Sequence, residues 1–276
     1  MEFDVLNILL RILTGAAIGF CIGMTGVGGG SIVVPTLTLG FGLLPSVSVG
    51  TASLYTFLTK IYATLRHTRL NTISYRIAGI FLAGALPGNI LASWYVNHRA
   101  GSGLDESAKA QFQNHLKIFI AVVMLMSTAL LILDLIRSKN RNNKQSIQNT
   151  ESAPPSTSPA KILLGILLGF CVGAVVGSTA LGAGVLAIPV LLLCFGTEAS
   201  KGIGSSIFIG LVLTLVSSLI YSKGGQIHIP TAIWMSTGSI VGVYFGSKMT
   251  VALSEKSLKA VVIGIIIFAS LLMLLK

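Results

Sequence analysis

The sequence predicts an all-α polytopic membrane protein, because it is strongly hydrophobic and its apolar runs have the lengths of membrane spans. Of its 276 residues, 53% are hydrophobic and 10% are charged, and the mean hydropathy is +0.87. Soluble domains carry about 25% charged residues, and an α-helix needs roughly 20 apolar residues to cross a bilayer. These observations exclude a water-soluble globular domain.

Ten apolar segments follow one another along the chain, and two of them are too short to cross a membrane. The short ones, 31–45 and 184–196, each follow a glycine-rich stretch and are predicted to be half-helices. Longer helices are expected at 5–24, 47–65, 73–97, 116–136, 161–181, 203–222, 230–253 and 258–275.

A polar segment divides the chain into two membrane domains. Residues 137–160 are rich in Ser, Asn and Pro and have no hydrophobic periodicity, which is typical of a flexible linker. The sequence therefore predicts a first membrane repeat at 1–136, a linker at 137–160 and a second membrane repeat at 161–276.

The two halves resemble each other in sequence. Residues 19–23 match residues 169–173 at an offset of 150, and from Gly28 onward the match continues at an offset of 154, which pairs Pro35 with Pro189. The change of offset implies four extra residues in the second half before Pro189. We interpret the agreement as an internal duplication with two non-equivalent half-sites.

The number of crossings in each half determines how the copies are oriented, since an odd number inverts the second copy. Under odd parity with the linker inside, twelve Lys and Arg residues lie on the cytoplasmic side and five outside, against ten and seven under even parity. Positive residues concentrate on the cytoplasmic side of membrane proteins. The charges favour two inverted repeats of about five hydrophobic segments each, with broken helices at matching positions, which is typical of secondary transporters.

The ionisable residues and the absence of known motifs exclude several functions. The 19 basic and 8 acidic residues lie mainly in loops, so membrane orientation accounts for the net charge of +11 and no nucleic-acid partner is expected. No acidic residue lies in the middle of an apolar segment, which argues against a carboxylate proton relay. The sequence has no Walker P-loop, HExxH, GxSxG or paired-cysteine metal motif. We therefore predict no catalytic residue, metal or cofactor.

Two glycine-rich stretches before the short helices are the strongest candidates for a binding site. Unwound backbone at membrane depth must be satisfied by protein or by a wet cavity, and a helix that begins there directs free N–H groups toward an anion. Tight helix crossing is the alternative role of such glycines. The candidates are Thr25, Gly26, Gly28, Gly29, Gly30, Ser31 and Pro35 in the first half, and Ser178, Thr179, Gly182, Gly184 and Pro189 in the second.

Further candidates are hydroxyl and basic side chains. Lys60 lies within an apolar segment, where it either provides a counter-charge for the anion or snorkels to the membrane surface. Four hydroxyls near the starts of spanning segments either donate to the anion or bond to their own backbone: Thr51, Ser53, Ser205 and Ser206. A cytoplasmic basic edge either attracts anions or only sets the orientation: Arg66, His67 and Arg69.

The sequence resembles the sulfite exporter TauE/SafE family in the runs GFCIGMTGVGGGSIVVPTLTLGFG, VGTASL and RHTRLNTIS, with weaker echoes GFCVGAVVGSTALGAGVLAIPVLLLCFG, GIGSS and KGGQIHI in the second half. The resemblance implies an inner-membrane carrier with duplicated halves for sulfite, thiosulfate or organosulfonates. It assigns to a first signature loop the residues Gly28, Gly29, Gly30 and Pro35. It assigns Thr51 and Ser53 to a second signature loop, and His67 and Arg69 to a short basic turn. The extra Ala52 departs from the family's pattern and rotates Ser53 by about 100° around its helix.

We therefore predict a secondary transporter, not an enzyme, that moves a small sulfur-containing anion across the bacterial inner membrane by alternating access, with the linker in the cytoplasm. An anion channel that uses the glycine stretches as a filter is the alternative. A membrane enzyme acting through Cys21 and Cys171, which align at the offset of 150, is a third class. The sequence is compatible with a proton or sodium coupling ion, and with a homo-oligomer formed through spacing such as Gly15 to Gly19.

Overall fold

All regular secondary structure in the described part of the chain is helical, which confirms the all-α prediction. The computed structural model describes residues 5–25, 30–101, 105–142, 159–181, 183–197, 199–249 and 255–275.

The helices follow the order of the predicted segments. The first half contains α1 (Val5–Thr25), α2 (Gly30–Pro35) with a π-helical turn (Thr36–Gly40), α3 (Pro45–Arg69), α4 (Tyr75–Gly101) and α5 (Glu106–Asn142). The second half contains α6 (Pro159–Thr179), α7 (Ala183–Phe195), α8 (Ala199–Lys223), α9 (Ile229–Met249) and α10 (Glu255–Leu275). The α5 helix extends six residues into the predicted linker, of which residues 143–158 lie outside the description.

Five helices within the described residues are long and apolar enough to cross a membrane: Val5–Ile22, Tyr75–Gly101, Glu106–Leu130, Pro159–Thr179 and Ser200–Lys223. The α3 helix is also long, with 25 residues, but it carries many hydroxyl side chains and Lys60 and is not in this group. The α2 and α7 helices have only 6 and 13 residues, which confirms the prediction of a short helix in each half.

The loops after α3 and α8 have the same backbone structure. At the end of α3, the Asn71 N–H donates to the Thr68 carbonyl (3.1 Å) and the Thr72 N–H donates to the His67 carbonyl (3.2 Å), which is a Schellman motif. Both bonds recur 154 residues later, where Gly225 takes the left-handed position with φ of 67° in place of Asn71 with φ of 52°. Glycine and asparagine are the residues that adopt this conformation most readily.

The first helix of each half packs against the fourth helix of the other half. Thus α1 packs on α9, α6 packs on α4, and the two crossings are the most extensive in the described residues. The third helices, α3 and α8, pack on each other, as do the fifth helices, α5 and α10. The two halves are therefore interlocked through their first and fourth helices.

Glycines let these crossings come within backbone contact. A Cβ atom at Gly84 of α4 would overlap the Ile166 carbonyl of α6, and one at Gly238 of α9 would overlap the Ile12 carbonyl of α1. Both the glycines and their contacts differ by 154 residues. Small residues are the usual means by which membrane helices approach closely, so tight crossing is the role of the glycines at these positions.

The same contacts correct the predicted offset before the breaks. Gly15 lies against Met235, and Gly169 lies against Phe81, again 154 residues apart. The offset of 150 is therefore wrong, and no extra residues separate the second-half glycines from Pro189. At the single offset of 154, Cys21 corresponds to Val175 and not to Cys171.

The contacts of Gly15 and Gly19 also remove the basis for predicting a homo-oligomer that forms through these two glycines. A Cβ atom at Gly15 would overlap Met235, and one at Gly19 would overlap Ser239, both on α9 of the same chain. This spacing is used for packing inside the chain and is not free to pair with a second copy.

Replacing Gly84 with alanine is expected to lower the free energy of unfolding by about 1–3 kcal/mol, because the added methyl group forces two packed backbones apart. Gly79 on the same helix is a matched control, since a Cβ atom there has no heavy atom within 4 Å. Thermal unfolding in detergent should show a lower midpoint for Gly84→Ala only. Equal midpoints for the two variants would contradict the tight crossing.

Candidate functional site

The breaks between the paired helices of the two halves contact each other. A Cβ atom at Gly30, the first residue of α2, would overlap the Ala180 carbonyl oxygen and would lie 3.1 Å from the Cα atom of Leu181. Ala180 and Leu181 connect α6 to α7, and Ala180 has the left-handed φ of 54°. The start of one short helix therefore lies against the chain that leads into the other, as the anion-site hypothesis requires.

Only the helices on either side of the first break are described, α1 before it and α2 after it. Thr25 is the last residue of α1, while its side chain and the candidates Gly26, Gly28 and Gly29 lie outside the described residues. Ser31 on the first turn of α2 is 5% exposed, and its Oγ atom has no hydrogen-bond partner in the described structure. A buried hydroxyl without a partner is costly, so Ser31 is available to a polar ligand.

The proline and glycine candidates flank the breaks. Pro35 is buried where α2 changes into the π-helical turn. Gly184 is buried in the first turn of α7, and Pro189 is half-buried inside the same helix. Gly182 lies outside the described residues.

The hydroxyls at the end of α6 bond to their own helix. The Ser178 and Thr179 hydroxyls donate to the carbonyls of Ala174 (2.8 Å) and Val175 (2.6 Å), and the Thr179 oxygen also accepts from the Leu181 N–H (3.2 Å). Thr179 thus helps to shape the break by satisfying a backbone N–H that the helix no longer satisfies.

A buried polar network holds the last turn of α6. The Gly177 carbonyl accepts from the Ser93 hydroxyl (3.1 Å) and from the Tyr221 hydroxyl (2.9 Å), while the Asn89 side-chain oxygen accepts from the Gly177 N–H (3.1 Å). Side chains of α4 and α8 therefore fix the position of α6 just before Ala180. Asn89 corresponds to Val243 at the offset of 154, so the equivalent position beside the first break carries no amide, and the two breaks are not equivalent.

Thr51 and Ser205 occupy equivalent positions and make equivalent bonds. The Thr51 oxygen accepts from the His228 N–H (3.0 Å), and the Ser205 oxygen accepts from the Ser74 N–H (2.9 Å). Each hydroxyl therefore fixes the loop that belongs to the other half. The other two candidates bond within their own helices, Ser53 to the Val49 carbonyl (2.9 Å) and Ser206 to the Ile203 carbonyl (2.8 Å).

Replacing Thr51 with valine is expected to lower the free energy of unfolding by about 1–3 kcal/mol, because the His228 N–H loses its acceptor. Thr51→Ser is the matched control, since it keeps the hydroxyl oxygen. Thermal unfolding of the purified variants should separate them, with Thr51→Ser close to wild type. A Thr51→Val protein as stable as Thr51→Ser would show that this bond does not hold the loop.

Lys60 lies deep in the structure next to the second break. It is 8% exposed, and its ammonium occupies the space that a Cβ atom on Gly210 of α8 would take. The same space is bordered by the Ala183 side chain at the start of α7. Gly210 is nine residues from Lys201 and thirteen from Lys223, or about 14 and 20 Å along the helix axis, so Lys60 does not snorkel to either end of α8.

No partner for the Lys60 ammonium is found among the described residues. Neither a hydrogen bond nor an ion pair joins it to any side chain there. One helical turn away on either side, Thr56 and Thr64 carry buried Oγ1 atoms that also have no hydrogen-bond partner in the described structure. These three residues define a polar stripe on α3.

Arg11 on α1 is a second buried cation, which the sequence analysis missed. It is 7% exposed, and its Cζ atom lies 5.8 Å from the centroid of the Phe41 ring. Burial and, to a smaller extent, the charge of Arg11 lower the pKa of His228 in the loop before α9. Its position inside an apolar run was the available signal, because such residues are functional candidates by default.

The basic edge lies at the end of α3, away from the breaks. Arg69 is exposed as the last residue of α3, and His67 Nδ1 bonds with the Thr72 hydroxyl at 2.8 Å. The Arg66 side chain is outside the description. Among the described residues, no cluster of His, Cys, Asp and Glu is suited to a metal ion.

The two cysteines of the enzyme hypothesis do not form a common site. Cys171 is exposed on the outer side of α6, whereas Cys21 is half-buried on α1 and packs against hydrophobic residues. Because they occupy non-equivalent positions, the symmetry argument for a shared thiol chemistry no longer holds.

Within its described residues the chain is all-helical, has five helices long and apolar enough to cross a membrane, and brings two short helices together near a buried lysine, which defines a polytopic membrane protein with a candidate binding site. The sequence profile of the family described as "Sulfite exporter TauE/SafE" matches residues 11–273. The chain therefore belongs to the TauE/SafE family of membrane transporters.

The chain also matches curated proteins that are named as membrane transporters, and each match covers nearly the whole length of both chains. The chain is 26% identical over 260 residues to the probable membrane transporter protein YjnA of Bacillus subtilis, covering 94% of this chain and 97% of that protein. It is 24% identical over 262 residues to YunE of the same organism (91% and 90%), and 25% identical over 271 residues to a probable membrane transporter protein of Haemophilus influenzae (91% and 92%). No solved structure matches the chain.

Proposed function

We propose that the protein is a secondary transporter of a small sulfur-containing anion, such as sulfite, thiosulfate or an organosulfonate. The observation that carries this proposal is the buried Lys60 ammonium at the start of α7, which has no partner in the described structure. An uncompensated buried charge is strongly unfavourable, so a bound anion satisfies the site. The family description, which names sulfite export, supports the choice of sulfur chemistry.

The binding groups would come from both halves. Ser31 and the first N–H groups of α2 would contribute from one side, and the start of α7 with Lys60 from the other. The α7 helix has 13 residues and begins beside the ammonium, so its positive end adds to the positive potential there. Because Gly30 contacts Ala180 and Leu181, the contributions of both halves meet within a few residues of each other.

The interlocked packing supports the proposal of two inverted repeats and alternating access. Contacts at a single offset of 154, and the exchange of first and fourth helices between the halves, are what a pseudo-twofold axis would produce. In such an arrangement, motion of one half against the other would open the contact between the breaks to each side in turn. The protein would lie in the bacterial inner membrane, with residues 137–160 in the cytoplasm.

Counterflow in proteoliposomes tests this function. Vesicles containing the full chain and loaded with unlabelled thiosulfate or methanesulfonate should take up the same labelled anion transiently, faster than unloaded vesicles and with saturation. Non-saturable flux that ignores internal anion would favour the channel instead. Absence of protein-dependent flux for both anions and for sulfite would reject the proposed function.

A further inference from the structure

We propose that Lys60 is the proton carrier of the transport cycle, so that the anion crosses the membrane together with one proton. This inference rests on the proposed function and names its coupling ion. In the loaded state, Lys60 would be protonated and paired with the anion. In the empty state, it would be a neutral amine, and the unloaded carrier would return without a buried charge.

The position of the ammonium is the first step. It contacts Gly210, the twelfth of the 25 residues of α8, and lies beside Ala183 at the start of α7. It is therefore near the middle of α8 and close to the second break. At this depth a lysine has no polar lipid region within reach.

The lack of charge compensation is the second step. Among the described residues, the neighbouring helices carry their ionisable groups elsewhere. On α8 the lysines lie at the two ends, and the Tyr221 hydroxyl donates to Gly177. The ionisable groups of α4 lie in the first turn and the last two turns, and those of α5 lie in the first four turns and the last three. Those of α9 are the exposed Tyr244 and Lys248 in the last turn. The short helices α2 and α7 contribute only Cys194.

A lysine in this environment is stable in two protonation states, one with an anion bound and one without. With an anion bound, the ion pair is neutral as a whole and can be buried. Without an anion, the charged form is disfavoured by desolvation and nothing in the described structure offsets it. Departure of the anion therefore favours breaking one N–H bond, with the proton passing to water on the side to which the site is open.

The polar stripe on α3 gives that proton a direction. Thr64 lies one turn from Lys60, about 6 Å along the axis toward the Arg69 end, and Thr56 lies one turn in the opposite direction. Both hydroxyls are buried and have no hydrogen-bond partner in the described residues. A hydroxyl both donates and accepts, so either can relay a proton through a water molecule when the site opens toward it.

The cycle balances in charge and in protons. One monoanion and one proton enter the site from one side, with the proton forming the third N–H bond of the Lys60 ammonium. Both leave on the other side, and the neutral amine returns. Transport of a monoanion is then electroneutral, whereas a dianion carries one net negative charge.

Proton movement with a strong-acid anion tests the inference. Methanesulfonate stays a monoanion at neutral pH and brings no proton of its own. In proteoliposomes that contain the full chain and trapped pyranine, an inward methanesulfonate gradient should acidify the lumen by one proton per anion. The initial rate should not change when the membrane potential is set with potassium and valinomycin.

Variants of Lys60 should abolish coupled proton transport while leaving a measurable fraction of the anion flux. Lys60→Arg keeps a charge that is not lost in proteins, and Lys60→Gln has none. We expect slower flux in both, loss of the proton-to-anion ratio, and a dependence of the remaining flux on membrane potential. Lys223→Arg at the end of α8 is the matched control and should keep the wild-type ratio and rate.

The outcomes separate this inference from the function on which it rests. Net methanesulfonate uptake down its gradient without acidification of the lumen in the wild-type protein would overturn the proton coupling and leave the anion transporter. A wild-type proton ratio in both Lys60 variants would overturn the assignment to Lys60. Loss of counterflow for both anions and for sulfite in the wild-type protein would remove the proposed function and this inference together.

Discussion

Replacing Gly30 with alanine should abolish anion transport, because this glycine is where the two broken helices touch. The added Cβ atom would overlap the Ala180 carbonyl, which is backbone and has no rotamer by which to move away. Either α2 or the α6–α7 connection must shift, and overpacking of this kind costs about 1–3 kcal/mol. This displacement also separates the N–H groups that are proposed to share the anion. Counterflow of labelled thiosulfate measures the loss.

Gly40 provides the matched control for Gly30. It ends the π-helical turn that continues α2, and a Cβ atom there would make only an ordinary contact of 3.8 Å with Thr36. Gly40→Ala should transport at the wild-type rate. Comparison of thermal midpoints separates loss of function from loss of folding, since Gly30→Ala should remain folded in detergent. Wild-type transport by Gly30→Ala would place the substrate away from this contact.

Replacing Lys60 with methionine should weaken anion binding by about 1.5–3 kcal/mol, or about 10- to 100-fold, which is the typical value of a hydrogen bond to a charged group. Methionine has nearly the length of lysine and fills the same space beside Gly210. Because burying a lysine without an anion costs either an unpaired charge or the loss of its proton, the variant without ligand should be at least as stable as the wild-type protein. The concentration dependence of anion-induced thermal stabilisation measures the affinity.

The combination of higher stability and weaker binding is the informative result. A lysine with a purely structural role would give the opposite change in stability when it is removed. Lys223→Met, at the exposed end of α8, is the control and should change neither quantity. Unchanged affinity in Lys60→Met would exclude the ammonium from the site.

Much of the architecture could be predicted from the sequence because it depends on hydropathy and length. The short helices were evident since α2 and α7 follow glycine-rich stretches and lack the residues to span a membrane. Lys60 could be selected as a candidate because a cation in an apolar run is expensive. Whether Lys60 snorkels or is buried depends on the space beside Gly210, which lies on another helix 150 residues away. No local sequence pattern contains that information.

The wrong offset of 150 has an identifiable physical cause. Glycines recur every four residues on α1 and α6, at Gly15 and Gly19 and at Gly165, Gly169 and Gly173, because they line one face of each helix. A slip of four residues therefore aligns glycine with glycine again. Only the contacts with α9 and α4 fix the register, and those contacts join distant parts of the chain.

The hydroxyl candidates show a second limit of sequence analysis. Thr51 and Ser205 were selected as donors to an anion, yet each also holds the loop of the opposite half. Ser178 and Thr179 donate to their own helix. Serine and threonine have several such options in a membrane helix, and the sequence does not distinguish them. Ser31, Thr56 and Thr64 differ because their buried oxygens have no partner in the described structure.

The location of a bound heavy-atom anion tests the central claim most directly. Crystals of the full chain soaked with selenite, the selenium analogue of sulfite, or with 2-bromoethanesulfonate would give an anomalous peak at the anion. The account predicts a peak between Gly30, the start of α7 and the Lys60 ammonium for at least one of the two. Peaks only at the basic edge of Arg66, His67 and Arg69, or none near the breaks for either anion, would contradict it.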